Sequence, residues 1–354
     1  MSSKLVPTKE RSAPSNSWKT VQDKNKAKKK IKLALIVLGL VATVILIGNL
    51  IKLTQTLFSP WKLSSQTVRN YIWDGEFNLN LVLLSNPTSV LTYNSQDKKI
   101  VILEIPAETY VEVPSGYGKW QLRAVYELGQ QEGRGGILLK DTLSSFLALS
   151  FDGFLEFSGP FKEKKAGEIL NILRSNPLGG FAILKNLQTD LTLFELLRFE
   201  LALMQVRFDK IESRSLLDTG MLDKSKLADN TEIFLTDPVK LDSVLSDFID
   251  PKLKQEGKSI AIFNATSHPQ LAQKAARIIT NLGGNVIITG NHKQTLKKTV
   301  LFGEQSKTLK KLLQIFVLDC PKGKNCDKIE LEKEDQSSRA QINLFLGEDF
   351  YLRL

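Results

Sequence analysis

From Glu76 onward, short apolar runs alternate with stretches whose apolar residues recur at helical spacing. "FNLNLVLL" (77–84), "SVLTYN" (89–94) and "KIVILEIP" (99–106) are rich in Leu, Ile and Val, and predict strands. "GGILLKDTLSSFLAL" (135–149) predicts a helix, "FDGFLEFSG" (151–159) alternates as a strand does, and "AGEILNILRSN" (166–176) returns to helical spacing. In "TLFELLRFELALMQ" (192–205), Thr192 precedes Glu195 by three residues, the capping-box signature of a helix start. Strands interleaved with helices predict a layered α/β domain over 76–249. Its polar end, 206–249, yields one helical stretch beginning near Pro238.

"DPKLKQEGK" (250–258) is expected to be a linker. A small second α/β unit is predicted over 259–354. It comprises strands at "SIAIFNAT", "NVIITG", "KTVLFGE" and within "AQINLFLGEDF", with helices at "HPQLAQKAARIITNLGG" and "SKTLKKLLQIF". The first of these helices ends at a Gly pair, a frequent helix stop.

The apolar run "LALIVLGLVATVILIGNLI" (33–51) holds no charge and no amphipathic period. Nineteen residues in a helix rise about 28 Å, the thickness of a bilayer core. It is longer than a secretory signal's apolar region and is followed by no A-x-A cleavage pattern, so an uncleaved transmembrane anchor is predicted. Residues 1–32 form a basic tail, expected to be disordered and cytoplasmic. The connector 52–75 and everything after it are then extracytoplasmic, with Phe58 and Trp61 at the interfacial belt.

The net charge of +10 suggests nucleic acid until its distribution is read. The tail carries ten Lys or Arg against Glu10 and Asp23, which leaves residues 33–354 about neutral. No basic footprint for nucleic acid is expected on the folded part. Cys320 and Cys326 flank "PKGKN", and an exported compartment permits a local disulfide there. Two free thiols are the alternative, and zinc is disfavoured with only His268 and His292 to add. Neither histidine follows a nucleophile motif. "GQQEGRGG" (129–136) lacks phosphate-loop spacing and reads as a flexible loop.

The stretch "SIAIFNATSHPQLAQKAARIITNLGGNVIITG", with "TVLFGE" and "AQINLFLGEDF" after it, resembles the C-terminal domain of LytR-type cell-envelope proteins. Upstream, the strands at 77–106, the "NSQDKK" turn and "IPAETYVEVPSGYGK" resemble a LytR-CpsA-Psr domain. The resemblance implies an anchored, bacterial, single-pass cell-membrane protein with two α/β units outside. It also implies transfer of a polyprenyl-pyrophosphate-linked glycopolymer to peptidoglycan. Such chemistry needs cations on the pyrophosphate and carboxylates on a divalent metal.

At those positions this chain departs from the pattern. The family's Arg-Ser-Asp-Thr falls on Ser85, Asn86, Pro87 and Thr88, and its Arg-Asp after the third strand falls on Ala107 and Glu108. Lys119, Arg123, Arg134 and Arg174 are the cations left as binding candidates. The expectation is a non-catalytic binding or scaffold relative, without cofactor or metal. Its partners would be the membrane and a cell-wall glycan, a lipid-linked precursor or an envelope enzyme. The alternative is an active transferase with relocated residues and a divalent metal.

Overall fold

The computed structural model describes residues 32, 38–39, 42–59, 71–175, 183–317 and 338–352. The chain divides into two compact units, Met1–Leu57 and Phe58–Leu354. In the smaller, residues 42–57 are helical and expose Val44, Ile45, Leu46, Ile47 and Leu50. The predicted span 33–51 lies partly outside the described residues, and no helix among those described is long and apolar enough to cross a membrane.

The larger unit is built on a six-stranded mixed sheet in the order β7-β6-β1-β2-β3-β8. β1 (Leu79–Leu84), β2 (Ser89–Asn94) and β3 (Lys99–Glu104) form its antiparallel centre, as their apolar runs predict. β6 (Gly153–Phe157) lies parallel to β1 and antiparallel to β7 (Leu187–Thr189), while β8 (Ile211–Ser215) lies parallel to β3. Alternation sends Leu79, Leu81 and Leu83 to one face and Val82 to the other, and both faces are buried.

On the first face pack α3 (Ala166–Ser175) and α4 (Leu193–Met204). α4 starts as the sequence predicts. The Thr192 side chain accepts from the Glu195 N–H, the Glu195 carboxylate accepts from the Thr192 N–H, and both residues are buried. On the second face pack α1 (Leu122–Gln130) and α2 (Gly135–Leu147). There the reading of 129–136 as a flexible loop fails. A Cβ on Gly129 would meet Leu138 Cβ at 2.8 Å, one on Gly135 would meet the Tyr126 ring at 2.8 Å, and one on Gly136 would overlap the Phe154 ring. These glycines let two helices and a strand approach closely.

Three further stretches differ from expectation. The polar segment after Pro106, for which the pattern predicts no element, is a hairpin of β4 (Tyr110–Val113) and β5 (Gly118–Gln121), turning through Ser115 and Gly116 at positive φ. Residues 206–249 hold β8 and a second hairpin, β9 (Asp223–Lys226) with β10 (Glu232–Leu235), before α5 (Pro238–Asp242). The segment 250–258 is not an extended linker. It carries α6 (Pro251–Glu256), whose N-cap Asp250 is buried and accepts the Asn78 N–H at 2.7 Å.

The last part is a four-stranded sheet, β12-β11-β14-β13. It joins β11 (Ser259–Asn264), β12 (Asn285–Asn291), β13 (Val300–Gly303) and β14 (Ile342–Leu346) to α7 (Leu271–Asn281) and α8 (Lys307–Phe316). The closing "GEDF" leaves the strand and begins a helical turn, α9 (Glu348–Tyr351).

This part is fastened to the rest by buried and half-buried polar contacts. Asn281 Nδ2 reaches the carbonyls of Leu147 and Ala148, and Arg277 Nε contacts both Asp242 oxygens at 2.9 and 2.8 Å.

Candidate functional site

The positions singled out by resemblance lie where β1 and β3 leave the sheet. After β1, Ser85 Oγ donates to the Pro87 carbonyl at 2.8 Å, and Ser89 Oγ donates to the same carbonyl at 3.0 Å. Asn86 Nδ2 donates to Glu163 at 3.0 Å, and the Thr88 carbonyl accepts the Ile105 N–H at 2.9 Å. The hydroxyls and carbonyls of this turn satisfy one another rather than face a ligand.

After β3, the 106–109 turn is tied down by its backbone. The Ala107 carbonyl accepts the Arg123 N–H at 3.1 Å, the Glu108 carbonyl the Phe234 N–H at 3.1 Å, and the Thr109 carbonyl the Leu122 N–H at 2.8 Å. Glu108 is half-buried, and its carboxylate has no hydrogen bond or ion pair among the described residues.

The four candidate cations do not share one face of the sheet. Arg123 is exposed on the first turn of α1, and Arg134 is exposed at the start of α2, in the layer on the second sheet face. Arg174 belongs to α3 on the opposite face, with its guanidinium 5.9 Å from the Phe208 ring centre. Lys119 is on β5, registered with Glu112. A pyrophosphate clamp needs such charges on one point, because each contact is worth most when aimed at the same oxygens. Among the described residues there is no group of three or more His, Cys, Asp or Glu that could hold a metal ion. Cys320 and Cys326 lie outside the described residues.

Sequence reading missed a pair near these turns. Tyr126 on α1 donates a hydrogen bond to Glu156 on β6. Burial pushes the Glu156 carboxyl above its usual range, opposed by the Tyr126 hydrogen bond and the charge of Lys162. Burial and the Glu156 contact push the Tyr126 phenol upward as well. The signal was present in "GFLEF". Alternation puts Glu156 on the same inward face as Phe154, where a carboxyl needs a partner.

Among the described residues, one concavity lies against this sheet and a larger one beside the β4–β5 hairpin. On the first face a small apolar pocket of about 40 Å³ is lined by Leu155, Phe157, Leu173, Leu184 and Phe199, with Glu200 beside them. Burial raises the Glu200 carboxyl, and its Oε1 has no hydrogen-bond partner among the described residues.

The larger concavity is a groove of about 890 Å³. One wall is the β4–β5 hairpin, with Tyr110, Glu112 and Lys119. The other holds Phe146 from the end of α2, Lys274 from α7 and Tyr351. Lys119 and Lys274 are exposed and make no ion pair among the described residues. The hairpin that carries Lys119 follows directly from the 106–109 turn, so this wall of the groove adjoins the positions singled out by resemblance.

No curated protein matches the chain. Among solved structures it is similar to TagT of B. subtilis, at 15% identity and a TM-score of 0.35, covering 53% of this chain and 95% of that one. A second is a LytR-CPS2A-psr family protein, YwtF (TagT), with bound octaprenyl pyrophosphate lipid, at 15% identity and TM-score 0.35, covering 52% and 93%. A third is Lin1025 from Listeria innocua, at 13% identity and TM-score 0.36, covering 48% and 95%. Residues 258–350, which run from β11 through β14 into α9, match the family model of the LytR cell envelope-related transcriptional attenuator.

Proposed function

We propose that this chain is a membrane-anchored, extracytoplasmic cell-envelope protein that binds a cell-wall glycan or its lipid-linked precursor and does not transfer it. The anchor is the uncharged run 33–51, whose described part is a helix with apolar side chains turned outward. The observation that carries the reading is the groove between the β4–β5 hairpin and the region matching the LytR family model. Tyr110 and Tyr351, the latter with one ring face stacked on His268, line the groove as aromatic surface for sugar C–H groups, and Lys119 and Lys274, without ion pairs among the described residues, offer cations to phosphate or carboxylate on a polymer. The adjacent turns hold Ala107 and a self-satisfied Ser85–Ser89 segment where transfer would require converging cations and a metal.

The test has two arms. The full chain in detergent is given radiolabelled lipid-linked glycopolymer and peptidoglycan, beside an Ala107→Arg variant. No transfer is expected from the unmodified protein, and turnover by it would establish the transferase reading instead. In the second arm, binding to peptidoglycan carrying anionic polymer is expected to weaken several-fold in Lys119→Ala and Lys274→Ala. Unchanged binding in both would remove the groove from the function.

A further inference from the structure

Helix α4 does not bury all of its apolar surface. Leu196, Phe199 and Leu203 face the core, but Leu197, Leu201 and Met204 stand 38%, 62% and 42% exposed, and Phe208 just beyond the helix is 67% exposed. Leu197, Leu201 and Met204, spaced four and three residues apart, make one stripe along the helix, and Phe208 stands in the turn beyond its end. Large apolar side chains so grouped are not the scattered exposure ordinary on a soluble surface.

What borders the stripe says what covers it. Arg198 lies 4.6 Å over the Phe194 ring at the head of the helix, and Arg174 lies 5.9 Å over Phe208 at its foot. Lys210 extends from the exit turn, as does Arg207, whose guanidinium is paired with Asp209 at 3.0 Å. Cations bracketing an apolar stripe are the pattern of a helix lying in a membrane interface, where apolar residues enter the acyl boundary and cations meet anionic headgroups. A second observation points the same way. Phe58 places its ring 5.2 Å from Phe194, and Phe58 follows the apolar run 33–51 by only seven residues.

We infer that the face of α4 carrying Leu197, Leu201, Met204 and Phe208 lies on the outer surface of the bilayer that holds the chain's own anchor. This rests on the anchor reading above, and it assigns the folded part an orientation. The surface is lipid, with anionic headgroups preferred.

The experiment uses the full chain, with Cys320 and Cys326 replaced by Ser, in vesicles of zwitterionic and anionic lipid. Single-cysteine variants Leu201→Cys, Phe208→Cys and, as a control on the exposed β9 strand, Lys224→Cys carry an environment-sensitive fluorophore. A lipid bearing its nitroxide near the head of the acyl chain is expected to quench positions 201 and 208 several-fold more than 224. Equal or absent quenching, including a blue-shifted but unquenched probe as a protein partner would produce, overturns the inference. Alkaline carbonate separates this from the anchor. A chain that resists extraction but is unquenched loses the stripe alone. An extracted chain still quenched at 201 and 208 keeps the stripe and loses the anchor, and one both extracted and unquenched loses both.

Discussion

Lys311 on α8 lies 3.1 Å from Asp152, next to β6, and both side chains are shut away from solvent. The Asp152 carboxylate also accepts the Tyr71 hydroxyl at 2.7 Å and the Asn80 N–H at 2.8 Å, while the Lys311 ammonium sits 5.8 Å from the Tyr71 ring centre and 5.6 Å from that of Phe77. One buried ion pair thus joins the region matching the LytR family model to the six-stranded sheet. Removing one partner leaves the other charge buried. Lys311→Met is expected to destabilise the protein by about 3 to 5 kcal/mol. Asp152→Asn should cost less, because its polar contacts partly survive, and the double variant should cost less than the two singles together. Chemical unfolding of the three variants measures this double-mutant cycle.

The capping box at the start of α4 offers a graded test. Thr192→Ala removes the acceptor for the Glu195 N–H and is expected to cost about 1 kcal/mol. Glu195→Ala should cost more, about 2 to 3 kcal/mol, because that buried carboxylate also accepts the Trp73 N–H at 2.7 Å and leaves orphaned donors behind. Equal losses in the denaturant midpoint would show that the Trp73 contact contributes nothing.

Two glycines in helices should respond oppositely to alanine. Gly136→Ala drives a methyl into the Phe154 ring at a packed helix–strand contact, and a loss of about 1 to 3 kcal/mol is expected. Gly167→Ala on α3 meets only Ile102 Cδ1 at 4.0 Å and removes unfolded-chain entropy, so a gain of about 0.4 to 1 kcal/mol is expected. Thermal or denaturant midpoints decide both.

Glu156 makes stability depend on pH with a definite sign. Burial raises its carboxyl in the folded state, so the protonated form is favoured there. Its contribution is complete below the ordinary carboxylate value of 4.5 and is lost as pH rises through the raised folded value. Glu156→Gln should flatten the stability profile on the weakly acidic side above 4.5, where the native side chain loses its proton. Matched profiles in that window would remove Glu156 as the source.

The local signals read from the chain were of two kinds. Strands β1, β2 and β3 were legible because runs such as Leu79–Leu84 are long, apolar and bounded by turn residues. The start of α4 was legible because Thr192 and Glu195 satisfy backbone donors within their own first turn. The hairpin at Tyr110–Gln121 was not, since four-residue strands with Glu112 and Lys119 in them carry little period, and their turn residues also suit a loop.

What the amino-acid order determined by itself is therefore whatever closes within a few residues: the apolar run 33–51, the central strands, the caps, and the absence of an arginine at Ala107. Tertiary structure decided what depends on distant residues meeting. It parted Arg174 from Arg123 and Arg134 by putting them on opposite faces of one sheet. It turned Gly129, Gly135 and Gly136 from a loop signal into close contacts, and buried Asp250 of an expected linker against Asn78. It also brought Lys119 and Lys274, 155 positions apart, to the walls of one groove. Hydrophobic period and capping act through neighbours along the chain. A site is a convergence in space, and which cations share it is set only when sheet order and helix layers are in place.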